Sequence, residues 1–507
     1  MKILSPTQIH QAYAITLQKQ NISSIELMER AGTKIFEWLD CWLKDSPNTI
    51  HIFCGVGNNG GDGLVVGRLL YEKEYDVAVY VVKYSDNHSA DFDYNVRHFE
   101  KSAHQKVQML TTAENFPKIK SQDLVIDAIF GIGLNRNPES WVKEVIQQLN
   151  QNKAYKIAID IPSGLFGNSA VIDPNAILKA DHTLSLQTPK LAFYLPETAK
   201  FVGNFDVLDI NLDSEFLENV EPLAYLITKR AAQKLYIPRE KFGFKNTYGH
   251  ALIVGGSYGK IGSTVLSTKA AFRIGAGLVT TFVPKCGLNV LQSTIPEAMV
   301  ITDSEADFIS NIDVDFKTST VGIGIGMGQN PATVEALKTF LSINTAPLVI
   351  DADALNIISK NPEVLTYISN NAILTPHPGE LKRLIGEWED DYEKLEKVKN
   401  FSTAHQLIIV IKGANTMIVH NDKIYVNTTG NPGMGTAGSG DALTGVITGL
   451  LSQGFDKLSA AIFGVYIHGK AGDIAATKLG QEAMMAGDIV ENISEAYLKL
   501  LSSPNFT

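Results

Sequence analysis

Asp127 and Asp160 each close an apolar run, VIDAIFG and AIDIPSG, and each is followed at once by a loop containing glycine. Acids at the ends of apolar strands are placed to meet a ligand, because ligands of open α/β sheets sit beyond the carboxyl ends of the strands. A third segment, CGVGNNGGDG from Cys54 to Gly63, joins the run TIHIFC to the helical pattern LVVGRLLYEK. Glycines there let the backbone approach a ligand, and the helix start offers free N–H groups to an anion. A fourth, NPGMGTAGSGD, sets Gly438, Ser439 and Gly440 before a helix carrying Asp441. Its N–H groups and dipole can receive a migrating phosphoryl group, and Asp441 can take the proton of an attacking alcohol. Lys412, at the end of the run QLIIVIK, suits nucleotide phosphates.

The Cys54–Gly63 loop has two readings. It spells the G-x-G-x-x-G of a dinucleotide turn through Gly55, Gly57 and Gly60. Such a unit expects an acid about 20 positions on for a ribose hydroxyl, and Lys83 stands there instead. Asp62 also sets a negative charge at the helix start, where pyrophosphate would lie. A tight glycine turn with Asp62 as a helix cap is the alternative.

The elements that must position these residues alternate. SPTQIHQAYAITLQKQ, capped by Ser5 with Pro6 in its first turn, and SSIELMERAGTKIFEWL read as helices. TIHIFC, DVAVYVV, DLVIDAIFG, YKIAIDIPSG and ADHTLSL then read as strands of a mostly parallel sheet. Strand character is lost from Asn219 to Tyr225. A second α/β series begins at HALIVGGSYG and continues through LVTTFVP, VGIGIGMG, PLVIDADALN, AILTPHPGE and QLIIVIKGANT, with MIVHNDKIYVN a hairpin through Asn421 and Asp422. Two domains joined near Pro222, residues 1–220 and 221–507, are expected.

At 507 residues two or three cores are expected. A formal charge of −10 with no basic run argues against nucleic acid or an anionic membrane as partner. Cys41, Cys54 and Cys286 are far apart and form no C-x-x-C pair, and neither a signal-peptide pattern nor an apolar stretch of about 18 residues is present. A cytoplasmic protein is expected.

With LMERAG, GVGNNGGDGLVVGRLL, VIDAIFGIGL and AIDIPSGL in this order, residues 1 to about 215 resemble the NAD(P)H-hydrate epimerase domain, also called the YjeF N-terminal domain. The resemblance implies a Rossmann-like three-layer fold that interconverts the R and S hydrates of NADH and NADPH at C6 of the nicotinamide ring. By position it implies that Asn58, Asn59, Gly60, Gly61 and Asp62 receive the hydrate. Gly131, Ile132, Gly133, Leu134, Asn135, Arg136 and Asn137 form a second substrate loop, and Asp160 lies beside the ring. Asn59, Asp127 and Ser163 match positions that hold a potassium ion, a set of oxygen donors suited to a large monovalent cation. Asp160 is expected to carry the proton, with Lys83 a second candidate. Tyr13 replaces an acid common in the family, and Ile132 and Asn137 replace threonine and proline.

YGHALIVGGSYGKIGS, AFRIGAGLV, IDADALN, TPHPGE, KGANT and NPGMGTAGSGD make the chain from about residue 225 similar to the ADP-dependent NAD(P)H-hydrate dehydratase domain of the ribokinase superfamily. That implies a ribokinase-like α/β/α fold, phosphorylation of the S-hydrate by ADP with Mg2+, and loss of phosphate. Ala276, Gly326, His377 and Asp441 match hydrate-contacting places. Lys412, Gly413, Ala414, Asn415, Thr416 and Gly440 match nucleotide-contacting ones, and Gly438 and Ser439 extend the latter as anion hole. Ile325 replaces a proline; His250 and His468 are read as structural. NADHX, NADPHX and ADP are thus the expected small-molecule partners, in a homo-oligomer. A second reading stays open: a ribokinase-like kinase of a vitamin precursor fused to a Rossmann-like binding module without activity.

Overall fold

The computed structural model describes residues 1–43, 48–138, 140–368, 370 and 372–502. They form two compact units, Met1–Ala224 with Asp390–Tyr392, and the remainder from Tyr225.

The first unit is built on a seven-stranded sheet. Its strands are β1 (Ile50–Cys54), β2 (Val77–Val82), β3 (Gln108–Leu110), β4 (Leu124–Ala128), β5 (Tyr155–Ile159), β6 (His182–Leu186) and β7 (Asn204–Leu208). All pairings are parallel in the order β3-β2-β1-β4-β5-β6-β7. Every residue of β1 and β4 is buried, because helices cover both faces of a parallel sheet. The run IHIFC therefore does not alternate with exposed positions, and its one polar residue, His51, is buried against Asp123 and the Tyr80 hydroxyl. Ser5 accepts from Gln8 N while Gln8 reaches back to Ser5 N, with Pro6 in the first turn, so the helix Pro6–Gln20 starts where its cap dictates. The helix Ser24–Trp42 buries Leu27, Met28, Ala31, Ile35 and Leu39 along one face.

The second unit has β8 (Ala224–Ile227), β9 (His250–Val254), β10 (Leu278–Val283), β11 (Met299–Thr302), β12 (Thr320–Ile323), β13 (Leu348–Ile350), β14 (Ala372–Leu374), β15 (Ile408–Ile411), β16 (Met417–His420) and β17 (Lys423–Asn427). Their order is β8-β17-β16-β15-β14-β13-β12-β9-β10-β11. Pairing is parallel from β11 to β15 and antiparallel through the β16–β17 hairpin, where Asn421 turns at φ 55. The helix Ser439–Ser452 is buried along nearly its whole length. It lies so close to the helix Ile261–Ile274 that a Cβ on Gly445 would stand 2.1 Å from the Ser267 carbonyl oxygen. No other residue type permits that approach.

Two expectations need correction. Ala224–Ile227 is a strand that pairs with β17, so strand character returns before Tyr225. Its lone segment carries no alternation and draws its stability from the partner. Asp62 is not a helix cap: the helix Asn58–Glu72 starts at Gly57, and no side chain caps it.

Candidate active sites in two units

In the first unit the strand order reverses between β1 and β4, so the loops that follow them diverge and leave a crevice at the carboxyl edge. A cavity of about 340 Å³ lies there. Gly57, Asn58 and Asn59 line it from the β1 loop, Ile129 to Pro138 from the β4 loop, and Asp160, Tyr13 and His10 from elsewhere in the unit. The glycines after β1 serve closeness within the loop: a Cβ on Gly55 would stand 1.9 Å from the Ile129 oxygen, and one on Gly60 1.8 Å from the Gly55 oxygen. They press the loop onto its neighbours rather than open a phosphate cradle.

Asp160 ends β5 in the left-handed region, φ 65, which L residues adopt at a cost and which recurs at functional sites. Its N–H donates to the Leu184 carbonyl at 2.7 Å, and its Oδ1 accepts from Leu186 N at 3.1 Å. Lys190, 1% exposed, forms an ion pair with the same carboxylate. The Lys190 ammonium also donates to Ser185 Oγ at 2.8 Å and to the Thr188 carbonyl at 3.2 Å. Burial pushes the Lys190 ammonium down, against the pull of Asp160. Tyr13 is held well above its usual range by burial and then by Asp160 and Asp62, so its hydroxyl keeps its proton.

Beneath the cavity, Ser163 Oγ donates to Asp127 Oδ1 at 2.6 Å and Ser163 N to Oδ2 at 2.8 Å, while Phe130 N donates to Ser163 Oγ at 2.8 Å. Asp127 is fully buried, burial pushes it up to about 6, and no cation is among the groups acting on it. The Asn59 amide nitrogen is buried without a partner; turned over, the amide would aim its oxygen there. A buried carboxylate lacking a countercharge, a hydroxyl and an orphaned amide are the donor set a monovalent cation takes.

In the second unit a cavity of about 530 Å³ opens between the ends of β15 and β17 and the start of the helix Ser439–Ser452. His377, Lys412, Gly413, Ala414, Thr416, Ser439 and Gly440 line it. Lys412 Nζ pairs with Asp351 Oδ1 at 2.7 Å, and Thr444 Oγ1 donates to Asp351 Oδ2 at 2.8 Å. Gly438, at φ 88, turns the chain into the helix. Asp441 in its first turn bonds to Ser263, and burial pushes its carboxyl up to about 6. Asp351 adds to that rise while Ser263 and Lys412 oppose it. A base near that value is ionised at neutral pH and still accepts a proton readily.

Residues 24–192 match the family described as YjeF-related protein N-terminus, and residues 251–495 the family NAD(P)H-hydrate dehydratase. A bifunctional NAD(P)H-hydrate repair enzyme of Moorella thermoacetica is 35% identical over 97% of this chain and 96% of its own length. One from Coxiella burnetii is 32% identical over 94% and 95%. A ribokinase-like superfamily protein from Enterococcus faecalis, solved at 1.80 Å, superposes with a TM-score of 0.50 at 26% identity, over 55% of this chain and 98% of that one. This chain belongs to the bifunctional NAD(P)H-hydrate repair enzymes. It is an enzyme of two α/β units, Rossmann-like and ribokinase-like, and the reading as a vitamin kinase with an inactive module is set aside.

For this repair enzyme the structure gathers most of the residues singled out in sequence. Asn58, Asn59, Asp62, Asp160 and Gly131 to Asn137 share one cavity. Gly326 approaches Ser263, the partner of Asp441, and His377 caps the helix Pro378–Ile385 at the rim of the second cavity. Asn415 belongs to the KGANT loop without lining that cavity.

Others are not gathered. Lys83 pairs with Asp86 at 2.8 Å and does not line the first cavity. Its strand neighbours β1, but its side chain turns to the nearest acid. Gly60 and Gly61 do not line it either: Gly60 packs on Gly55 and Gly61 on Met28. Ala276 sits before β10, where Gly277 N donates to the Tyr248 carbonyl and Leu278 N to that of Gly249. This is the amino edge of the sheet, a strand length of about 20 Å from Asp441. Ser263, in the first turn of the helix Ile261–Ile274 at the other edge, touches Asp441 instead. The functional residues missed in sequence are Lys190, Asp351 and Ser263. The first had one signal, a lysine in the loop directly after an apolar run, and the second ends the run PLVID as Asp160 ends its own.

Proposed function

We propose that the first cavity epimerises the R and S hydrates of NADH and NADPH, and that the second dehydrates the S form at the expense of ADP, releasing AMP and phosphate. One observation carries the proposal: each unit has, at the carboxyl edge of its sheet, a separate cavity lined by one member of a Lys–Asp pair, Asp160 in the first and Lys412 in the second, with Asp441 one residue beyond Gly440 of the second lining. A kinase joined to an inert scaffold has no use for the Asp160–Lys190 pair, whose burial is costly unless the two charges act together.

In the first unit Asn58, Asn59 and the loop from Gly131 to Asn137 hold the hydrate, and Asp160, fixed by Lys190, exchanges a proton at the C6 hydroxyl. Asn59, Asp127 and Ser163 would hold K+, whose charge offsets that of Asp127 below the cavity. In the second unit Lys412 and the loop from Gly413 to Thr416 take the phosphates of ADP, with which Mg2+ enters. Gly438, Ser439 and Gly440 direct backbone N–H groups at the β-phosphoryl group. Asp441 takes the proton of the S-hydrate hydroxyl as its oxygen bonds to phosphorus and AMP leaves. Phosphate then departs from C6 with the C–O bonding pair, a proton leaves C5, and the dihydronicotinamide double bond is restored. Gly326 and His377 bound the hydrate from the loops beside Ser263 and Lys412. The three unpaired thiols suit a reducing cytosol. Among the described residues no helix is long and apolar enough to cross a membrane.

The test follows return of dihydronicotinamide absorbance from mixed hydrates with Mg2+ and either ADP or ATP. Full recovery is expected with ADP, falling to the S fraction in Asp160→Asn and to nothing in Asp441→Asn. Accumulation of a stable phosphorylated product with ATP would favour an ordinary kinase.

A further inference from the structure

The epimerisation described above leaves one buried acid of the cavity without a task. Asp62, 8% exposed, projects from the helix Asn58–Glu72 and lines both the epimerase cavity and a recess of about 260 Å³ beside it, walled by Leu17, Leu27, Met28 and Ile210. Among the described residues no hydrogen bond or ion pair engages its carboxyl. Its environment is the reverse of that of Asp160, which holds a lysine and a backbone N–H. The titratable and charged groups around it are Asp160 and Asp91, the Tyr13 hydroxyl, the Cys54 thiol and, across the cavity lining, His10, Tyr84 and Arg136, whose guanidinium is not among the groups acting on Asp62. Burial first, then Asp160 and Asp91, hold the Asp62 carboxyl well above the usual carboxylate range. Two carboxyl groups in one cavity, one charge-paired and one left bare, are set up for opposite proton duties.

We propose that Asp62 is the general acid of the epimerase cavity, giving its proton to the C6 hydroxyl as the C–O bond breaks, while Asp160 takes a proton from the water that adds to the opposite face. The ring nitrogen lone pair forms the C=N bond as the hydroxyl leaves as water. It returns to nitrogen when the second water bonds to C6, so nothing is oxidised or reduced. One proton has then passed from Asp62 to Asp160. It returns through cavity water, or the reverse epimerisation carries it back along the same route. The apolar recess keeps Asp62 from being solvated as an anion.

The inference rests on the epimerase reading of this cavity, and the experiment separates the two. With full-length protein and R-NADPHX, the approach of the R to S ratio to equilibrium is followed chromatographically. Asp62→Asn is expected to slow it by 10²-fold or more, with KM within about threefold, unfolding temperature unchanged and dehydration of the S form intact. The wild-type rate is expected to fall at alkaline pH as Asp62 loses its proton. Asp62→Glu is expected to retain that fall at a displaced position. A rate within about threefold of wild type in Asp62→Asn, beside a slow Asp160→Asn, overturns the acid and leaves the epimerase reading standing. So does a wild-type rate with no alkaline fall, or loss of the rate in Tyr13→Phe alone. Full rates in both Asp62→Asn and Asp160→Asn overturn the epimerase reading itself.

Discussion

The two cavities solve related problems with opposite electrostatics. In the first, the lysine is sealed: Lys190 is 1% exposed and spends its donors on Asp160, Ser185 and backbone carbonyls. In the second, Lys412 remains 20% exposed and lines a cavity more than half as large again, its partner Asp351 lying beneath it. A lysine that only fixes a carboxylate is best dry. One that must receive an anion has to keep part of its surface toward the ligand. Asp441, the base proposed for the second unit, is correspondingly not the lysine's direct partner but is bonded to Ser263. The difference teaches that a buried Lys–Asp pair alone does not identify a phosphate site; the exposure of the lysine does.

That contrast is open to breaking. The largest effect is expected for Asp441→Asn, which should lower dehydration by 10²- to 10⁴-fold and leave epimerisation untouched, measured with pure S and R hydrates in parallel. Lys190→Met comes next. It strands Asp160 as a buried unpaired charge, a loss of about 3 to 5 kcal/mol, so epimerisation should vanish along with a clear drop in the unfolding temperature of the first unit. If Lys190→Met retained its rate, the sealed lysine would be structural only.

Lys412→Met should weaken ADP binding and lower stability less than Lys190→Met does, because buried Asp351 keeps two neutral donors, Thr444 and the Ala352 N–H. Nucleotide titration by calorimetry checks this. A subtler consequence concerns pH. Asp441 acts as a base only when ionised, and its carboxyl is pushed up to about 6. Dehydration kcat/KM should therefore be full above that value and fall as pH drops through it. Lys412 opposes the rise, so in Lys412→Met the acid limb should move to higher pH. An unmoved limb would assign it to another group. The smallest effect, a several-fold loss, is expected for Ser263→Ala, again with the limb displaced upward.

What could be read in the sequence was local. Apolar runs ending in Asp127, Asp160 and Asp441's glycine turn announce strands and loops because each signal lies within ten residues. Strands β3, β7 and β11 escaped because they are edge or near-edge segments with exposed patterns, QML, NFDVL and MVIT. Lys190 escaped because its partner lies 30 positions back, and nothing in QTPK says that the side chain turns inward. Ala276 was misplaced for a different reason. GKIGS and IGAG are similar glycine turns bracketing one helix, and only the sheet decides which of them faces Asp441. Lys83 marks the converse limit, since position beside a strand end does not fix where a long side chain points.

The order of strands in the first sheet has a consequence for how the chain is made. β1 pairs with β2 and with β4, whose partner residues are synthesised about 70 positions after it. At roughly 5 to 20 residues per second, the central strand IHIFC, buried on both faces in the finished fold, waits about 4 to 14 s on the ribosome before its second edge is covered. The loop from Gly55 to Gly63 waits with it, since Gly55 N binds the Ala128 carbonyl. The first cavity is thus a late product of translation, complete only after the strand carrying Asp127 has been made.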